Sequence, residues 1–184
     1  MLELANGEEA ILGYGSLLCK GSMEKTLGRP YDGPFRACRV AGWRRSWNVF
    51  LPNRGEFVDE RGVAPAKIVY LNVRRDAASA VNGVLFVVPA GALAGFDQRE
   101  WVYDRVDISR ELECLEFRGR AWMYVARPEY LVHGGQFPDY AVRQSYIDIV
   151  EQGLTELGAG FRAEYEASTD AVPREWVIRD RRAV

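Results

Sequence analysis

A single histidine, His133, stands in a chain of 184 residues. That scarcity excludes a metal centre built from several imidazoles and makes a Ser-His-Asp triad improbable. The three cysteines, Cys19, Cys38 and Cys114, are widely spaced and odd in number. They form no disulfide framework and predict reduced thiols in a cytoplasmic protein. No apolar run approaches the ~18 residues of a membrane span. Residues 1–9 are acidic and lack the cationic start of a signal peptide. Basic residues are not in excess: 24 lysines and arginines face 26 aspartates and glutamates, for a net charge of -2. Neither nucleic acid nor an anionic membrane is therefore an expected partner. Gly-x-Gly-x-x-Gly and Gly-x-Ser-x-Gly are both absent, which excludes a dinucleotide fingerprint and a nucleophile elbow. The acidic run Glu111 to Glu116 lacks metal-ligand spacing. No metal and no cofactor are expected.

What the chain does have is 48% apolar residues. That suffices for one domain over residues 1–184, burying roughly 70% of its unfolded surface. Ile11 to Tyr14 reads as a first strand and Ser22 to Leu27 as a short helix stopped by Gly28 and Pro30. Phe35 to Arg44 alternates loosely as a strand, with Gly42 at a bend or bulge. Residues 51–66 read as a long loop. Lys67 to Val73 and Val84 to Val88 are β-branched strands, with Asn82-Gly83 as the turn before the second. A short helix over Pro89 to Asp97 leads to Glu100, followed by a strand from Val102 to Ile108. Leu112 to Phe117 and Ala121 to Ala126 suggest an antiparallel pair around Arg118-Gly119. After a loop from Pro128 to Pro138, Asp139 is positioned to cap a long helix. Val142, Tyr146, Val150, Leu154 and Leu157 share one face of it, and Phe161 to Ala167 adds another helical turn or two. Strands dominate the middle and helices the end, which favours α+β over a doubly wound sheet.

Two stretches carry the candidate chemistry. In Ile11-Leu12-Gly13-Tyr14-Gly15-Ser16-Leu17-Leu18, an apolar strand runs into a glycine turn. Glycines permit close backbone approach and φ > 0, and free N–H groups beside a hydroxyl suit an anion or a carbonyl oxygen. In Phe96-Asp97-Gln98-Arg99-Glu100-Trp101, one acid is flanked by apolar residues. By residue type alone Glu100 is a solvated glutamate at a helix end; inside a pocket, desolvation would raise its pKa toward a general base. Tyr103, Tyr124 and Tyr146 each read as core, rim or a hydroxyl aimed at a ligand. Arg44 and Arg45, between Trp43 and Trp47, read as a solvated strand edge or a carboxylate site.

Taken in order, these stretches resemble the gamma-glutamylcyclotransferase superfamily. Its Tyr-Gly-Ser-x-Leu loop corresponds to Tyr14-Gly15-Ser16-Leu17-Leu18. Its Leu-Asp-x-x-Glu segment corresponds to Phe96-Asp97-Gln98-Arg99-Glu100, with Tyr103 nearby. Gly83-Val84-Leu85-Phe86 matches the family's Gly-x-Leu/Val-Phe strand. Pro138 to Tyr146 resembles its terminal helix start with altered spacing, without the Pro-Ser pair. Val40-Ala41-Gly42-Trp43-Arg44-Arg45-Ser46 is similar to a stretch of the glutathione-specific, ChaC-like branch. The resemblance spans roughly residues 10–160.

It implies a small mixed β-barrel flanked by helices. It implies a metal-independent enzyme that releases 5-oxoproline from a small γ-glutamyl substrate by attack of that substrate's own α-amine. Glu100 is then the general acid/base, with Tyr14, Gly15, Ser16, Leu17 and Tyr103 as substrate-binding residues. Tethered ring closure needs mainly orientation, one proton carrier and donors for the oxyanion. A non-enzymatic binding module on the same fold is the alternative. A hydrolase pairing Glu100 with Asp97 or Asp104 is the third reading. Neither the leaving group nor the oligomeric state is set by the sequence.

Overall fold

The richest β-branched stretch of the chain becomes its longest strand, and everything else is laid against it. The computed structural model describes residues 2–113, 116–135 and 138–183. In chain order these form β1 (Leu2–Glu3), β2 (Glu8–Gly13), α1 (Lys20–Leu27), β3 (Phe35–Pro52), β4 (Phe57–Val58), β5 (Lys67–Pro89), α2 (Leu93–Arg99) and β6 (Tyr103–Asp107). There follow β7 (Phe117–Arg118), β8 (Ala121–Ala126), β9 (Tyr140–Arg143), α3 (Gln144–Leu157), α4 (Ala159–Ala167), β10 (Val177–Ile178) and β11 (Arg181–Arg182). Cys114, and with it part of the expected 112–117 strand, lies outside the described residues.

β3 and β5 pair antiparallel along most of their length, from Phe35 opposite Phe86 to Pro52 opposite Lys67. The register shifts at Gly42, whose φ is 78°. That is the bulge expected there, and opposite it residues 76–79 go unpaired. β2 lies on the other edge of β5, pairing Glu8 to Gly13 with Pro89 to Val84, and runs parallel to β8. β8 pairs antiparallel with β6, while β9 lies parallel to the start of β5 and carries β10.

Side chains alternate across this sheet with period two, as strands require. Ile11, Phe86 and Val88 pack on one face with Met23 of α1 and Leu93 and Phe96 of α2. Leu12, Leu85 and Val87 pack on the other with Val150 and Leu154 of α3 and Tyr165 of α4. The architecture is α+β, as expected, but the mixed sheet does not close into a barrel among the described residues. β2 takes only the last residues of the β5 edge and β9 only the first two. The edge between them, around Leu71 and Asn72, is left without a strand.

Several expectations are corrected. Asn82 and Gly83 make no turn; they lie inside β5 opposite Arg39 and Cys38. Gly83 is a packing residue, since a Cβ there would meet the Gly13 carbonyl oxygen at 2.7 Å and Leu12 Cγ at 2.9 Å. Ala121 to Ala126 pairs with β2 and β6 rather than with its predecessor, and Phe117–Arg118 lies parallel to β1. The long helix begins at Gln144, not Asp139, because Tyr140 and Ala141 are drawn into the sheet beside Lys67 and Ile68. Its first turn is capped from a distance by Asp180, which accepts from the Ser145 N–H at 2.9 Å and hydroxyl at 2.6 Å. The 51–66 segment is ordered by Asn53, whose side-chain amide donates to the carbonyls of Phe57 and Pro65.

Gly83→Ala is expected to lower stability by about 1–3 kcal/mol, read from the midpoint of urea unfolding. A turn glycine with room around it would leave that midpoint unmoved.

Candidate active site

The site occupies the gap in the β5 edge. Leu71 has no strand partner on that side, and two tyrosines take its place. Its carbonyl accepts from the Tyr103 hydroxyl at 2.8 Å. Tyr146, from α3, takes a hydrogen bond from the Leu71 backbone. Asn72 next to it accepts the Ala126 N–H at 2.9 Å through its side chain. A buried sheet edge must have its polar groups satisfied, and here side chains do it.

Against this gap β2 ends in the Gly13 to Leu18 turn. Both early glycines are required by close approach, not by φ > 0: neither has a positive φ. A Cβ on Gly13 would lie 2.6 Å from Leu17 Cβ, and one on Gly15 would lie 2.8 Å from the Tyr146 hydroxyl. Leu18 and Cys19 donate back to the carbonyls of Gly15 and Ser16, while the N–H groups of Gly15, Ser16 and Leu17 find no acceptor among the described residues. Their direction is set from behind. The Tyr14 carbonyl accepts from Arg45 Nε at 3.1 Å. In a planar trans peptide the next N–H points opposite to that carbonyl, so the Gly15 N–H is turned away from Arg45.

Glu100 completes the site at the end of α2. Its side chain is 17% exposed, and Arg99 Nε lies 2.9 Å from its Oε1. Burial pushes the Glu100 carboxyl above its ordinary value, and the Arg99 charge and hydrogen bond hold it back. Arg99 is itself a clamp. Its Nη1 donates to the Ser22 carbonyl and Thr26 hydroxyl, and its Nη2 to the Ser16 and Ser22 hydroxyls, at 2.6–3.0 Å. The acid and the glycine turn are thus tied through one guanidinium.

The inner cavity is a half-open cleft of about 310 Å³, counting the space open to solvent, and is lined by the Leu12–Leu17 turn, Leu71, Glu100 and four tyrosines, Tyr14, Tyr103, Tyr124 and Tyr146. All four tyrosines are held neutral. Burial pushes the hydroxyls of Tyr14, Tyr103, Tyr124 and Tyr146 above their ordinary value, and nearby Glu100 adds to each shift. The Tyr14 hydroxyl donates to the Tyr124 carbonyl at 2.7 Å and the Tyr124 hydroxyl to Asp97 at 2.9 Å. Tyr146 is braced edge-on by Tyr70 and Trp47, with ring centroids 4.9 and 6.0 Å away. No acceptor for its hydroxyl proton is present among the described residues.

Every residue singled out for the site, namely Glu100, Tyr14, Gly15, Ser16, Leu17 and Tyr103, lines this cavity. Leu17 does so with its backbone; its side chain packs in the core with Ile11 and Met23. Asp97 and Asp104 do not line it. They pair with Arg105 at 2.7 Å and Arg127 at 2.8 Å, which removes the two-carboxylate arrangement. His133 is exposed on its loop. Arg45 is no strand edge: it is fully buried. Among the described residues no group of His, Cys, Asp and Glu is arranged to hold a metal, and no helix is long and apolar enough to cross a membrane.

Solved structures share this arrangement of elements. A gamma-glutamyl cyclotransferase matches over 86% of this chain and 85% of its own, with a TM-score of 0.61 and 12% identity. This is a gamma-glutamylcyclotransferase-like fold. An uncharacterized human protein matches over 88% and 86%, with a TM-score of 0.60 and 14% identity. The yeast gamma-glutamyl cyclotransferase specific to glutathione matches over 89% and 96%, with a TM-score of 0.53 and 13% identity. No family model and no curated protein sequence matches the chain.

On this gamma-glutamylcyclotransferase-like scaffold, sequence reasoning missed Arg99. Its adjacency to Glu100 was visible, but its reach to Ser16, 83 positions away, was not. Leu71 carried no side-chain signal, because its backbone is what the site uses. Removing the cation beside a carboxyl raises that carboxyl's pKa by about one pH unit or more. Arg99→Gln is accordingly expected to shift the Glu100 titration upward, followed by NMR of its side-chain carboxyl. A titration at the wild-type pH would mean that Arg99 does not control the acid.

Proposed function

We propose that this protein is a gamma-glutamyl cyclotransferase. The carrying observation is the placement of one desolvated acid, Glu100, in the same small cavity as the unpaired N–H groups of Gly15, Ser16 and Leu17. The γ-glutamyl group enters with its α-carboxylate and reacting carbonyl toward those donors and the Tyr146 hydroxyl. Glu100 takes a proton from the α-ammonium. The freed amine attacks the γ-carbonyl, forming the ring C–N bond, and the developing oxyanion is met by preorganised donors. The γ-amide C–N bond then breaks. Glu100 returns the proton to the departing nitrogen and then relays the second proton of the former ammonium from the ring nitrogen to the released amine, so the products are 5-oxoproline and an ammonium ion, with no net proton change at the enzyme. Nucleophile and electrophile are already tethered, so positioning carries much of the acceleration.

The electrostatics support this role. A carboxyl in water is a weak base for an ammonium; burial strengthens it. The Arg99 charge and hydrogen bond oppose that rise and favour the ionised form. The tyrosines, being neutral, donate hydrogen bonds without adding charge that would compete with Glu100 for the ammonium.

Wild-type protein is expected to release 5-oxoproline from one or more members of a γ-glutamyl panel, with activity falling on the acid side as Glu100 is protonated, above the usual carboxylate range. Glu100→Gln is expected to lose at least about 100-fold in kcat/KM while keeping its circular dichroism spectrum. Because burial raises the folded-state pKa, ionising Glu100 costs stability as pH rises through that value. The glutamine variant is therefore expected to melt no lower than wild type at neutral pH. Full activity in Glu100→Gln would overturn the assignment.

A further inference from the structure

Beyond the inner cavity lies a larger one of about 660 Å³, and the two share Ser16, Glu100, Tyr103 and Tyr146 in their walls. The shared residues include Glu100, so the outer cavity adjoins the inner one at the acid. That is where a leaving amine has to extend. Its walls add Leu51, Val102 and Ile149, with Tyr70 and two cations, Arg99 and Arg143.

The cations differ in how they are satisfied. Arg99 spends its donors on Glu100, Ser16, Ser22 and Thr26. Arg143 does not. Its guanidinium carbon lies over the Phe57 ring, 3.9 Å from the centroid, and the Tyr70 hydroxyl is its hydrogen-bond partner. Its nearest acid, Asp180, is 3.6 Å away, beyond hydrogen-bond length, and already accepts both donors of Ser145. Its Nε is buried and has no hydrogen-bond partner among the described residues. Phe57, Tyr70 and Asp180 hold this guanidinium in place and leave it with donor capacity to spare. A structural arginine in the same protein, Arg45, has acceptors for each of its nitrogens. A guanidinium held in a cavity wall with a donor to spare has the character of a carboxylate receptor.

We infer that the outer cavity is the leaving-group subsite and that Arg143 receives a carboxylate carried by the departing amine. The inference rests on the proposed cyclotransferase reaction and deepens it. The substrate class is a γ-glutamyl amino acid or short peptide with a small aliphatic stem against Leu51, Val102 and Ile149. γ-Glutamylamines lacking a carboxylate are poor substrates, because nothing in them answers Arg143. Leu51 and Phe57 both belong to the 51–66 segment, which gives that segment a part in substrate choice.

The test compares γ-glutamyl-alanine with γ-glutamyl-ethylamine, which differ by one carboxylate. Wild-type kcat/KM, read as 5-oxoproline release, is expected to favour the alanine compound by about tenfold or more. Arg143→Gln is expected to bring the ratio toward one, chiefly by raising KM for the alanine compound, and Arg143→Lys to restore part of it. Equal wild-type rates on the two compounds would overturn the subsite while leaving the reaction standing. Binding of both compounds to Glu100→Gln protein, by calorimetry, separates the two claims. No release from either compound, with binding that still prefers the carboxylate and loses the preference in Glu100→Gln/Arg143→Gln, would keep the subsite and overturn the reaction. Absence of any binding preference would overturn the subsite.

Discussion

A guanidinium with no exposed surface holds the glycine turn in place. Arg45 sits in β3 and donates to the Tyr14 carbonyl, to Asn82 in β5 at 2.8 Å, and to Ser168 and Thr169 past the end of α4 at 2.8 and 3.1 Å. Its face stacks on Tyr165, 4.1 Å from the ring centroid. All of these acceptors are neutral. Burial lowers its pKa to about 10, which leaves it charged at neutral pH. A buried charge without a counter-ion is tolerated only where hydrogen bonds replace its hydration. That requirement forces four separate parts of the chain to converge. The β3–β5 hairpin brings Arg45 and Asn82 together, α4 supplies the roof, and the turn after β2 is pinned with its Gly15 N–H facing the other way.

The cavity that results is built on a balance of opposing electrostatic effects. Four tyrosines and one glutamate crowd together, and burial disfavours the charged form of each. For the glutamate, desolvation by itself favours the protonated form. Arg99 counters this from the same helix end, and its remaining donors hold the glycine turn at a fixed distance from the acid. Positioning and ionisation are consequently controlled by one residue. The tyrosine hydroxyls meanwhile satisfy the open β5 edge at Leu71. The groups that repair the sheet are the groups that line the site, so stability and site geometry cannot be separated there.

The open edge also explains why the sheet stays unclosed. A strand filling the gap would satisfy Leu71 and Asn72 with a backbone ladder and would leave no room for Tyr103, Tyr146 or a ligand. The 51–66 segment and the C-terminal strands close the outer side instead. β4 pairs with β11 and Asp180 reaches back to the first turn of α3. This outer wall brings Phe57 beneath Arg143.

Much of this was legible in one dimension because hydrophobic periodicity is local. The apolar run of β2, the β-branched run of β5 and the Tyr146-Val150-Leu154 face of α3 follow from side-chain spacing, which any stretch of sequence displays on its own. The ordered pair of motifs likewise located the glycine turn and Glu100. Local signals misled where distant partners outweighed them. Asn82-Gly83 has turn composition, yet Asn82 is committed to Arg45 and the Phe161 carbonyl, and Gly83 to the passage of β2. Asp139 has cap composition, yet β5 takes its neighbours into the sheet. The bonds that assemble the site join residues far apart: Tyr14 to Arg45, Ser16 to Arg99, Leu71 to Tyr103. Spacing encodes which face a residue occupies, whereas its partner is decided only when long-range packing closes the loops between them. The element types and the identity of the acid thus belonged to the sequence. The environment of that acid, and the unsaturated arginine beyond it, belonged to the tertiary structure.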